Sequence, residues 1–209
     1  MGKELKIRLL VFGWALAVVS ASALFAQGVP SADKIARAGS FDGQLYTNKA
    51  LGLTILAPGG WTFFPYDRNQ ALVAKNRATN QDVEAAQTQV LFQAAPSKLL
   101  GDEKSAIFSA GVQKLNQAAM TSAQYAAANR DHLASQPDTV VSRDIYETKL
   151  GGAAFSVFEI TGKARDIAYR QVYLATVRRG LAIFFVETFY DNKNTFATEA
   201  SLKTLKFGK

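Results

Sequence analysis

The chain has 209 residues, 48% hydrophobic and 20% charged, which suits one domain with a sizeable core and argues against global disorder. Its net charge is +7, but the charges are scattered and form no nucleic-acid stripe. It has no cysteine and one histidine, which excludes a disulfide framework, a Cys nucleophile and a lipidated N-terminal Cys, and argues against zinc.

Residues 1–26 have the three parts of a secretory signal peptide. Lys3, Lys6 and Arg8 precede an apolar run from Leu9 to Val19, and Ala21-Ser22-Ala23 and Leu24-Phe25-Ala26 offer cleavage sites. Cleavage after Ala26 is the expectation; retention as an anchor is the alternative, since Leu9 to Ala26 is barely long enough to span. This segment carries +2, leaving +5 on the rest. Residues 27–43 are rich in Gly, Pro and Ser and read as a flexible tether with one helical turn around Ile35. A single globular domain over 44–209 is expected to follow.

That domain opens on Leu45 to Trp61. Leu45-Tyr46 begins a strand, Thr47-Asn48-Lys49 and Gly52 form a turn, and Leu53 to Ala57 return. Pro58-Gly59-Gly60 ends the second strand, and Trp61 is expected to cap the edge of the core. A short strand over Ala71 to Ala74, a loop over Asn76 to Asp82 and a strand over Gln87 to Ala95 follow. In the last, Val90, Phe92 and Ala94 face one way and Gln87, Gln89 and Gln93 the other, and Pro96 ends it.

Residues 102–117 predict a helix: Asp102 is a fitting N-cap, and Ile107, Phe108, Gly111, Val112 and Leu115 share one face. A second helix starts at Thr121, where Gln124 completes a capping box and Met120 with Tyr125 a hydrophobic staple. Tyr125, Ala128, His132 and Leu133 share its face, and Gln136-Pro137 ends it. Strands over Thr139 to Thr148 and Ala153 to Thr161 flank Gly151-Gly152, and strands over Ala168 to Arg178 and Leu181 to Tyr190 flank Arg179-Gly180. The strand LAIFFVETFY is apolar on both faces, so it is central to a layered structure. Asn194 caps a final helix carrying Leu202 and Leu205, and Phe207 pins the tail.

Tyr46, Asn48, Leu51-Gly52-Leu53, Pro58 and Gly60-Trp61 resemble the opening of PsbP-like and Mog1-like domains, including the bacterial DUF1795 group. The strand Leu181 to Tyr190 and the series Phe196, Leu202, Leu205, Phe207 resemble that family's last strand and helix. The resemblance implies an α+β fold, an α/β/α-type sandwich around a mainly antiparallel twisted sheet. It also implies no catalysis, since the family's members include photosystem accessory subunits, a Ran-binding nuclear import factor, secretion chaperones and periplasmic or lipoprotein forms. It carries over no binding residue, because the matching positions are turn and core.

The residues themselves show little chemistry. His132 follows Asp131, but adjacent helix residues point apart, so it reads as structural. G-x-S-x-G, a P-loop, G-x-G-x-x-G and a calcium loop are all missing from the sequence. Glu159 and Glu187 lie in strands; should these be neighbours, the two acids share a sheet face, where pairing with Arg170 or Arg178 is the expectation rather than catalysis. The strongest surface candidate is Arg165, Tyr169, Arg170, Tyr173, Arg178 and Arg179, joined by Lys163: interleaved Arg and Tyr suit a partner patch. The sequence therefore predicts an exported, periplasmic or extracellular bacterial domain. It is non-catalytic, takes no cofactor, metal or nucleic acid, and acts through a protein partner or envelope complex. Contact with the membrane would come only through an uncleaved signal anchor. The alternative is a periplasmic carrier of a small apolar molecule or lipid, with Phe63, Phe64, Phe184 or Tyr190 pointing into a cavity.

Overall fold

A computed structural model describes residues 30–64, 88–97, 106–117, 119–164, 167–190 and 195–208. The expected signal segment, the strand at Ala71 to Ala74, the loop after it, and the caps Asp102 and Asn194 lie outside these residues.

Two antiparallel sheets make up the fold. The small one has the order β1-β2-β3-β11: β1 (Gly39–Asp42), β2 (Leu45–Asn48), β3 (Leu53–Leu56) and β11 (Lys206–Phe207). The large one has the order β4-β5-β6-β10-β9-β8-β7: β4 (Trp61–Phe63), β5 (Thr88–Pro96), β6 (Ile107–Lys114), β7 (Thr139–Leu150), β8 (Ala153–Ala164), β9 (Ile167–Arg178) and β10 (Leu181–Phe189). Among the described residues three helices join them: α1 (Ala32–Arg37), α2 (Ser122–Ala134) and α3 (Thr195–Lys203).

The front of the large sheet packs against the small sheet, α1 and α3. This core holds Ile35, Tyr46, Ile55, Phe92, Phe108, Phe155, Ile183, Phe185 and Leu202. Its rings run in series, Tyr46 to Phe92 at 4.9 Å, Phe92 to Phe108 at 5.5 Å and Phe108 to Phe185 at 6.0 Å between centroids. Such ring pairs add about 0.5–1.5 kcal/mol each beyond burial. The back packs under α2 through Tyr125, Ala126, Phe158, Ile160 and Phe184. Layers on both sides explain why all nine residues of β10 are buried. The expected α+β sandwich around a mainly antiparallel sheet is what the chain forms.

The opening hairpin forms as expected, with Leu45 opposite Leu56 and Asn48 opposite Leu53. Asn48 fixes it: its amide donates to Ile35 O at 2.8 Å and its Oδ1 accepts from Leu51 N. Trp61 starts β4, opposite Pro96, and is buried in the front core. The Gly151-Gly152 turn has φ of 57° and 79°, and Arg179-Gly180 has 51° and 74°, the two positive values of a type I′ hairpin.

Three expectations need correction. The predicted helix over 102–117 is instead strand β6 over Ile107–Lys114; lying between β5 and β10 with both faces buried, it has no polar side to mark its period. In β5 a bulge at Leu91 reverses the alternation. Val90 pairs with Gly111 and faces the back, whereas Phe92 pairs with Ala110 and faces the front. The described part of the expected tether is folded: Ser31 caps α1, Ile35 is buried, and β1 pairs with β2.

Candidate functional site

Register brings the two glutamates onto one face. Val172 of β9 pairs with Glu159 of β8 on one side and with Glu187 of β10 on the other. All three side chains therefore point to the front, with the glutamate backbones about 10 Å apart at normal strand spacing. Arg170, two residues from Val172, shares that face, and Arg143 of β7 pairs with Glu159.

Glu159 is the hub of this cluster. Arg170 donates to its Oε2 from Nε at 3.1 Å and from Nη2 at 2.7 Å. The Tyr146 hydroxyl donates to its Oε1 at 3.3 Å, and Arg143 Nη1 lies 3.5 Å from the same oxygen. The Arg143 guanidinium rests 3.7 Å above the Tyr146 ring centroid. Burial, followed by the charge of Glu159, raises the Tyr146 phenol above its ordinary value. Both oxygens of Glu159 are thus engaged.

Glu187 is held differently. It is 3% exposed, lies beside Thr198 of α3, and leaves Oε1 enclosed with no hydrogen-bond partner among the described residues. Burial pushes its carboxyl up to about 7; Glu199 and Glu159 act in the same direction, against Thr198 and Arg170. The expectation that these acids pair with Arg170 or Arg178 holds for Glu159 with Arg170. Arg178 lies over the Phe207 ring instead, 4.5 Å from its centroid. The described residues bring no three of His, Asp and Glu together as a metal would need.

The expected Arg-Tyr patch is not one surface. Alternation along β9 sends Tyr169 and Tyr173 to the back and Arg170 and Arg178 to the front. Tyr173 stacks on Phe158 at 4.9 Å and donates to Gln171, and Tyr169 is 9% exposed. Arg170 and Arg178 sit at opposite ends of the strand, about 26 Å apart. Arg179 is exposed in the turn, and Arg165 lies outside the described residues. His132 is half-buried on α2, with Nε2 enclosed and no partner among the described residues. Arg143 and Tyr146 were not singled out in the sequence. Register shifts on either side of Arg143 hide which face β7 presents there, so no spacing signal marks them.

The fold is PsbP-like. No protein-family model matches the sequence, and no curated protein matches it. Solved structures do. CyanoP, the cyanobacterial PsbP of Synechocystis sp. PCC 6803, aligns with a TM-score of 0.50 at 15% identity, over 81% of this chain and 98% of its own. LpqN of Mycobacterium tuberculosis, described as involved in cell envelope biogenesis, aligns with a TM-score of 0.52 at 10% identity, over 74% of this chain and 82% of its own. At these identities the likeness is one of fold.

Proposed function

We propose that this chain is an exported accessory domain that works by binding a protein partner in the cell envelope and catalyses no reaction. The observation that carries the reading is the fold: the chain reproduces nearly the whole of CyanoP and most of LpqN, the latter tied by its description to envelope biogenesis. The N-terminal Lys-Arg, apolar and small-residue sequence supports export. The ion pairing of Glu159 and the enclosure of Glu187 support a structural rather than chemical use of the paired acids. Packing speaks against the carrier alternative at two of its four positions. Phe184 lies on Gly111, where an added Cβ would come within 2.2 Å of the ring, and Phe63 sits 5.1 Å from Phe92 and 5.0 Å from Phe41 between centroids.

The test is native purification from envelope fractions of the host, with crosslinking and mass spectrometry of the N-terminus. The expected result is a processed N-terminus near Gln27 and a stoichiometric crosslinked protein. An N-terminus at Met1 in a cytosolic fraction, or a bound small molecule with no protein partner, overturns it.

A further inference from the structure

The front layer does not cover the whole of the large sheet. One row beyond Glu159 and Val172, Val140, Thr161 and Arg170 pair in sequence across β7, β8 and β9, and Lys163 follows opposite Ala168. Val140 is 64% exposed, and the Arg143 and Arg170 side chains are 59% and 37% exposed. Lys163 and Ala168 are exposed too. On the back of the same rows Ile160 and Tyr169 are buried. Among the described residues, the ends of these strands are thus covered on one side only.

That uncovered face is basic and short of acceptors. Arg143 and Arg170 both pair, among the described residues, with the one carboxylate of Glu159, and Lys163 stands exposed beyond them. Among the described residues, Arg170 Nη1 makes no hydrogen bond, and the Arg143 guanidinium makes none at all. Tyr146 holds the Arg143 fork flat and partly desolvated. The exposed valine lies among these cations, and such a mixture of guanidinium donors with an apolar contact is what protein interfaces enrich.

We propose that this overhang docks an acidic segment of a protein partner, its carboxylates taken by Arg143 and Arg170 and an apolar side chain resting on Val140. The proposal builds on the accessory-domain reading and supplies the chemistry of the partner. A planar guanidinium matches a carboxylate with two parallel hydrogen bonds, whereas a lone valine offers no face to insert into lipid.

The test uses the mature chain, with hexaglutamate peptide as the probe and the Arg Nε–H signals followed by NMR at low salt. The expected result is saturable movement of the Arg143 and Arg170 signals, weakened by added salt. Peptide affinity should fall at least tenfold in Arg143→Glu and in Lys163→Glu, and stay unchanged in Lys203→Glu, which makes the same charge change on α3. Arg143 has a 3.5 Å ion pair and its contact over the Tyr146 ring to lose while 59% exposed, and Lys163 is exposed, so both variants are expected to fold; unchanged thermal unfolding checks this. Unmoved signals, equal affinity in Arg143→Glu, or tighter binding to phosphatidylglycerol vesicles than to peptide overturns the proposal. Should the host partner crosslink equally to wild type and to the Arg143→Glu, Lys163→Glu double variant, this surface is wrong while the accessory reading stands. Should hexaglutamate bind as expected with no partner captured, the surface stands and the accessory reading fails.

Discussion

Glu187 titrates near 4.5 when its surroundings leave it alone and near 7 in the fold. Between those values the folded chain keeps a proton that the unfolded chain gives up, so this group's contribution to stability is full below pH 4.5 and is lost as pH rises through 7. At 1.36 kcal/mol per unit, the decline attributable to this one group is about 3 kcal/mol. Glu187→Gln keeps the shape and removes the charge. We expect the wild type to melt several degrees lower at pH 8 than at pH 5, and Glu187→Gln to flatten that slope and melt higher than wild type at pH 8. A variant with the wild-type slope would refute this origin. The sequence places both acids in strands and makes a shared face conditional on adjacency. The strands are not neighbours, because β9 lies between them, yet the face is shared, since both acids pair with Val172. What it leaves out is their difference, since one meets Arg170 and the other meets a helix.

Among the elements, α2 is the one written most plainly. Thr121 Oγ1 accepts from Gln124 N at 3.2 Å, and Gln124 Oε1 accepts from Thr121 N at 2.9 Å, the box its residues predict. Removing the cap hydroxyl in Thr121→Ala is expected to cost about 1 kcal/mol and lower the melting temperature by about 2–4 °C, measurable by calorimetry. The buried face is shifted slightly from the one expected: Tyr125, Ala126 and Asn129 are buried while Ala128 is only partly so, and Asn129 stays inside by donating to Tyr125 O. The sequence is least legible where a strand is buried on both sides. In β6 the spacing of Ile107, Phe108, Gly111, Val112 and Leu115 fits a helical stripe equally well, and only pairing decides. Its Gly111 is there because Phe184 of β10 lies across it. In α1 the signal is weak for the opposite reason: six residues, with Ile35 the only large apolar one.

Across the molecule, the layering follows from β10. Its alternate apolar residues fill the front and back cores, a consequence visible in the string LAIFFVETFY. The closure of the small sheet is not visible there. Lys206 and Phe207 pair with Thr54 and Leu53, Gly208 N donates to Gly52 O at 2.6 Å, and Ser201 and Thr204 bond to the backbone of Leu56. Two paired residues carry no periodicity, so register alone creates that strand. Truncation after Thr204 removes Leu205 and the Phe207 ring that packs on Phe155, and is expected to lower stability by at least about 3 kcal/mol in urea denaturation. Leu56 and Thr204 are 148 positions apart in the chain. Contacts of that span are slow to form, because the loop they close must be paid for first. The small sheet therefore cannot be finished until Lys206 and Phe207 have left the ribosome. The same delay applies on the far side of any membrane that the chain crosses N-terminus first, so translocation would meet an open polypeptide rather than a completed domain.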